Sequence, residues 1–273
     1  MIVDDLIVYG KSKVHSDLAK MLLADLMGVN SLELLTILDQ EVPEEIVNTY
    51  KYRVDELRKG RPIQYIIGNV NFCGNIFDIN ENVLIPRFET EQLVVNTVEK
   101  IKELWPNESV DLIDLGTGSG AIGISIKKRL PNVNVTLLDI STAALEVAKH
   151  NATKLEVNVK YIINDMLENL ANKYDVIVSN PPYIKTNEEI EDIVKNNEPH
   201  LALYAGDDGL DCYKKILSHV KENIKNKFLI AFEIGDTQKE DLFNLASTYL
   251  TDYNIECIKD FSNRDRMIFI WSK

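Results

Sequence analysis

The chain has 273 residues, 45% of them hydrophobic and 27% charged, which is material for a sizeable core and more length than one ordinary domain needs. Lys and Arg number 30 against 43 Asp and Glu, a net charge of −13. So acidic a surface repels phosphate backbones and argues against a protein that binds nucleic acid non-specifically.

Residues 1–68 read as a small helical bundle. His15 to Gly28 carries Leu18, Met21, Leu22 and Leu26 at helical spacing, with Ser16 as a candidate N-cap and Gly28 as a stop. A short helix fits Ser31 to Leu38. A third begins at Pro43, shows Ile46, Val47, Tyr50, Val54 and Leu57 on one face, and ends at Gly60. Residues 69–88 then read as a β-hairpin linker, because NVNFCGNIFDINENVLI alternates apolar and polar positions with Gly and Asn punctuation.

Residues 89–273 alternate strands with helices. Apolar runs at Val110–Leu115, Val133–Leu138, Val159–Ile163, Tyr174–Ser179 and Phe228–Ile234 are predicted strands, separated by helical segments such as Ala121–Leu130 and Thr142–Asn151. Repeated βα units imply a parallel sheet covered on both faces. The last two runs, Asn254–Lys259 and Met267–Trp271, are joined by a loop too short for a crossover helix and should pair antiparallel. The expected fold is α/β, with a mostly parallel seven-stranded sheet and an antiparallel last strand. It resembles the class I methyltransferase variant of the Rossmann architecture.

The first motif is Gly116-Thr117-Gly118-Ser119-Gly120, between a predicted strand and the helix opening at Ala121. Glycines allow a tight turn and close backbone approach to a ligand, and a helix N-terminus offers free N–H groups. The pattern also satisfies the dinucleotide fingerprint. Asp139, after the next strand, suits ribose hydroxyls in either kind of cofactor. Asp114, ahead of the loop, favours a cationic ammonium over a pyrophosphate. Asp165-Met166 has two readings: an acceptor for an adenine amino group with a methionine packed on the ring, or a loop acid and a core methionine.

The second motif is Asn180-Pro181-Pro182-Tyr183, at the end of the strand Tyr174–Ser179. An amide or aromatic amine nitrogen is a poor nucleophile because its lone pair is delocalised. Catalysis with a reactive sulfonium donor therefore needs mainly in-line positioning and exclusion of water. The Asn180 side-chain carbonyl and the Pro181 main-chain carbonyl could accept from the two NH₂ hydrogens and turn the lone pair toward the methyl. Proline fixes its own φ and keeps the segment preorganised, and the Tyr183 ring could stack on a planar group. Arg87 and Glu89 either line the acceptor mouth or form a salt-bridged loop. Cys73, Cys212 and Cys257 read as reduced thiols, and the scattered histidines offer no metal set.

These motifs, with Arg61–Gly68, Val83–Arg87, Thr90-Glu91, Glu198-Pro199, Asp208–Leu210 and Glu233–Gly235, resemble the HemK/PrmC family from about residue 15 onward. That family methylates the glutamine of the Gly-Gly-Gln motif in peptide chain release factors. The resemblance implies S-adenosyl-L-methionine (AdoMet) bound by Gly116 to Gly120, Asp139, Met166 and Asn180, with S-adenosyl-L-homocysteine as product. It implies substrate glutamine at Asn180–Tyr183 and an N-terminal domain that helps dock the release factor. Phe88 and Glu89 depart from the family's usual Pro and acid after Pro-Arg. The rivals are a DNA or RNA amino-group methyltransferase, a nicotinamide-dependent oxidoreductase and a non-catalytic nucleotide-binding scaffold. No membrane-length apolar run and no signal peptide are evident, so a cytoplasmic monomer without direct nucleic-acid contacts is expected.

Overall fold

The computed structural model describes all residues from Met1 to Lys273, which cluster into two compact units. The first comprises residues 1–69 together with 191–197, and the second comprises 70–190 and 198–273.

The first unit is helical: α1 (Val3–Lys11), α2 (Ser16–Met27), α3 (Glu44–Arg58) and α4 (Ile63–Ile67). Its core gathers Leu6 and Ile7 of α1, Leu22 and Leu23 of α2, and Tyr50 and Val54 of α3. Gly28 ends α2 in the left-handed conformation, as a C-terminal glycine does. Helix α1 adds to the helices expected within residues 1–68. Val3, Leu6 and Ile7 follow helical spacing and are fully or nearly buried. The segment expected as a helix over Ser31–Leu38 shortens to a single 3₁₀ turn, Glu33–Thr36. Asn30 Oδ1 caps the Leu32 and Glu33 amides, and Leu32 and Leu35 point to solvent, so too few apolar contacts are available to extend the turn.

A hairpin follows, β1 (Asn69–Phe72) and β2 (Asn75–Asp78), all of it but Asn69 in the second unit. Its two turn residues, Cys73 and Gly74, both have positive φ (52° and 76°), the geometry that matches strand twist in two-residue hairpins. Phe72 and Phe77 pack edge to face and belong to the core of this unit. There follow α5 (Phe88–Leu104), β3 (Val110–Leu115), α6 (Ala121–Arg129), β4 (Val133–Asp139), α7 (Thr142–Lys154), β5 (Lys160–Ile163) and β6 (Tyr174–Ser179). After α8 (Asp192–Asn197), which clusters with the first unit, come α9 (Asp211–Asn223), β7 (Ile224–Glu233), α10 (Lys239–Tyr249), β8 (Tyr253–Lys259) and β9 (Asp265–Ser272).

The seven strands are ordered β5-β4-β3-β6-β7-β9-β8. All run parallel except the last, β9, which is antiparallel to both of its neighbours. Alternate side chains serve opposite faces. Leu112, Val176, Val178, Leu229 and Ala231 meet α5, α6 and α7, whereas Ile113, Ile177, Ile230 and Phe232 meet α9 and α10. The order reverses between β3 and β6, and a crevice opens at their carboxyl ends, where open α/β sheets bind ligands. No helix is long and apolar enough to cross a membrane.

Candidate active site

The crevice holds a cavity of 220 Å³. Gly116 and Gly118 border it from the loop after β3, Asp139 from the end of β4, and Asp165 and Met166 from the segment after β5. Asn180 and Pro182 border it from the end of β6. Two motifs far apart in sequence therefore open on one space.

The glycine loop is held from behind. Asp114 is fully buried; its Oδ2 accepts from Thr117 Oγ1 at 2.6 Å and from the Gly123 amide at 2.9 Å, which supplies an acceptor to the first turn of α6. Its Oδ1 is buried without a partner, and burial pushes the carboxyl up to about 6. Gly118 has φ +54°, a conformation that favours glycine, and nothing lies within 4 Å of where a side chain would begin. Its amide donates to Asp139 Oδ2 at 2.9 Å, and Asp139 Oδ1 accepts from the Ser141 amide at 2.9 Å. Burial raises the Asp139 pKa against the pull of these amides.

Three of the expected donor residues brace the loop instead of lining the cavity. The Thr117 hydroxyl is spent on Asp114. Gly120 is the left-handed N-cap of α6, and the Ser119 carbonyl accepts from the fully buried Asn151 at 2.9 Å. The same Asn151 side chain bonds both the amide and the carbonyl of Asp78 (2.8 and 2.9 Å), tying the hairpin to the donor loop.

On the far side of the crevice, Asp165 lines the cavity while its carboxylate pairs with Lys215 of α9. Met166 has φ +50°, a left-handed conformation uncommon outside glycine. Its Cε would lie 3.8 Å from a side chain placed at Gly116. Ile140, directly after Asp139, also lines the cavity although it is 47% exposed. An apolar residue after the strand-terminal acid was the available signal for it in the sequence.

The acceptor segment is fixed at three points: the end of β3, the first turn of α5 and the N-cap of α10. Ser179 Oγ donates to the Leu115 carbonyl at 2.7 Å, and Asn180 Nδ2 donates to Thr90 Oγ1 at 3.2 Å. The Tyr183 carbonyl accepts from Gln238 Nε2 at 3.1 Å. Gln238, buried, also donates to the Gly209 carbonyl at 3.1 Å and accepts from the Gly235 amide at 2.9 Å. The strings Asn180–Tyr183, Asp208–Leu210 and Glu233–Gly235 thus converge on one side chain. Pro181 is buried, and the Tyr183 ring packs on the core cluster containing Tyr213 and Phe232, with burial pushing its hydroxyl up to about 12. Arg87 lies outside the cavity lining and is paired with buried Glu198, whose Oε2 accepts from the Ile85 amide at 3.2 Å. The ion pair expected of Arg87 is present, with Glu198 as its partner.

Known proteins resemble this chain in sequence and in fold. Residues 13–68 match the family model of the PrmC N-terminal domain, and residues 71–202 match that of the methyltransferase small domain. The release factor glutamine methyltransferase of Bacillus cereus is 37% identical over 255 residues, covering 92% of this chain and 90% of that one. The enzyme of the same name from Bacillus subtilis is 37% identical over 256 residues, covering 92% and 89%. The chain belongs to the release factor glutamine methyltransferase family. Like other members it is a class I methyltransferase, and that sets aside the oxidoreductase and scaffold readings. The Thermus thermophilus 16S rRNA N2 G1207 methyltransferase, solved in complex with AdoMet and guanosine, has the same fold at 13% identity. Its TM-score is 0.55, over 75% of this chain and 50% of that one.

Proposed function

We propose that the protein transfers the methyl group of AdoMet to the side-chain amide nitrogen of the glutamine in the Gly-Gly-Gln motif of peptide chain release factors, and so supports translation termination. The observation that carries this reading is the shared cavity: Asn180 and Pro182 border the same space as Gly116, Gly118, Asp139 and Met166.

The residues fit AdoMet on three counts. Gly118 leaves room for close backbone approach. Asp139 borders the cavity with lone pairs remaining for ribose hydroxyls, and Ile140 and Met166 offer apolar faces for an adenine. Asp114 keeps one buried oxygen unpartnered at the root of the loop, which suits a nearby ammonium. When bound, AdoMet would supply an electrophilic methyl on a sulfonium.

The protein's own part is positional. Asn180 Oδ1 and the Pro181 carbonyl accept from the two hydrogens of the substrate amide. This turns the nitrogen lone pair toward the methyl and holds a near-attack geometry. The rigid Pro181-Pro182 pair and the Gln238 clip keep both acceptors in place without reorganisation. The methylated nitrogen is strongly acidic and loses its proton to water, so the step needs no dedicated base. The helical first unit, matched by the PrmC N-terminal domain, is assigned to release-factor docking.

The competing substrate is a nucleic-acid amino group. Incubating the protein with methyl-labelled AdoMet and either a release factor or a nucleic acid separates the two. Label is expected in the release factor; label found only in nucleic acid rejects the proposal.

A further inference from the structure

Glu233 ends β7 beside Asn180: its neighbour Phe232 pairs in register with Ser179. It is 2% exposed, and its Oε2 is buried without a hydrogen-bond partner. The Thr90 and Asn180 side chains face its carboxyl, and Asn180 Nδ2 donates to Thr90 Oγ1 at 3.2 Å. We propose that Glu233, acting with Thr90, is the positioning residue that fixes which end of the Asn180 amide faces the substrate.

This role rests on the acceptor role given to Asn180 above and follows from the count of donors and acceptors. An ionised carboxylate only accepts, so the Thr90 O–H must point at Glu233 and its lone pairs must accept from Asn180. Asn180 then spends both N–H groups on Thr90 and Glu233. Its only free polar atom is Oδ1, the acceptor that a substrate NH₂ requires. A protonated Glu233 donates instead of accepting. The chain of bonds can then reverse, turning the Asn180 NH₂ toward the substrate NH₂, donor against donor.

The charged and titratable groups around Glu233 are Arg266 on β9, Glu89 in the first turn of α5, and the hydroxyls of Tyr183 and Tyr213. Tyr213 donates to the Glu233 main-chain carbonyl at 2.6 Å and anchors the strand end without touching the carboxyl's role. Burial dominates over these neighbours and pushes the carboxyl up to about 7. The switch between the two hydrogen-bond directions therefore falls in the working range of pH.

The test is the pH profile of kcat for release-factor methylation by wild type, Glu233→Gln, Thr90→Val and Thr90→Ser, with AdoMet binding measured by calorimetry on each. Wild type is expected to lose activity on acidification through a single proton step near about pH 7. Glu233→Gln is expected to lose that acid limb and to have a kcat at least about tenfold lower at high pH, with KM for the release factor little changed. Thr90→Val should resemble it, and Thr90→Ser, which keeps the hydroxyl, should resemble wild type. AdoMet binding within about twofold of wild type shows that a variant is folded; where Glu233→Gln fails this, the same comparison is read from the two Thr90 variants. A wild-type profile without an acid limb, or a limb that survives in Glu233→Gln or in Thr90→Val, overturns the proposal. Wild type that methylates no release factor at any pH would instead count against the function assigned above.

Discussion

Glu233 also makes a prediction about stability that is independent of activity. Burial raises its carboxyl from 4.5 to about 7, and each pKa unit corresponds to about 1.36 kcal/mol, so the folded state favours the neutral acid by about 3 kcal/mol. The folded pKa lies above the unfolded one. The stabilisation is therefore complete below the unfolded pKa and is lost as pH rises through the folded value. Between about pH 5.5 and about pH 8.5 the wild type should lose about 2 kcal/mol from this group alone. Glu233→Gln does not titrate and should gain that amount relative to wild type over the same interval. Urea unfolding of both proteins at both pH values, followed by tryptophan fluorescence, gives the difference of differences, in which every other titrating group cancels. A Glu233→Gln effect that stays constant with pH within about 0.5 kcal/mol would refute the claim that burial raises the pKa of this carboxyl.

Other consequences are equally specific. Asp139→Ala removes the acceptor for the Gly118 and Ser141 amides and the ligand for ribose hydroxyls. At about 1.5–3 kcal/mol per charged hydrogen bond, AdoMet should bind at least about tenfold more weakly by calorimetry. Gly209→Ala places a methyl 2.4 Å from the Tyr183 carbonyl at φ +74°; it should destabilise by about 2–4 kcal/mol and lower kcat for the release factor, seen in thermal unfolding and steady-state assays. Gln238→Ala releases the clip between the Tyr183 carbonyl, the Gly209 carbonyl and the Gly235 amide. Its two buried carbonyls and one amide lose their partner, so a loss of about 2–4 kcal/mol in urea unfolding is expected, with kcat falling more than the affinity for AdoMet.

The βα alternation was legible because the central strands carry apolar runs buried on both faces, as in Val176 to Val178 and Leu229 to Phe232. The reversed last strand followed from the short loop between Lys259 and Asp265. The donor and acceptor motifs were legible too, because Gly116–Gly120 and Asn180–Tyr183 are local strings whose residue types carry their own geometry. Helix α1 carried little signal of its own, since only Val3, Leu6 and Ile7 mark its buried apolar face. What binds the site together escaped for a different reason. Asn151, Gln238, Thr90 and Glu233 act through side-chain bonds between elements remote in sequence, and such bonds leave no periodicity. Thr90 and Glu233 stood in strings that resembled the family, but only the fold reveals that both face Asn180. Arg87 could be read two ways because a cation near a mouth and a cation in an ion pair look alike until Glu198, far along the chain, is placed beside it.

The account turns on a methyl group placed on one amide nitrogen by Asn180. Peptide mass spectrometry of a release factor co-expressed with wild type or with Asn180→Ala reads this directly. The account predicts one added methyl on the glutamine of the Gly-Gly-Gln peptide with wild type and its near-complete loss with the variant. A methyl on any other residue, or undiminished methylation by Asn180→Ala, would contradict it.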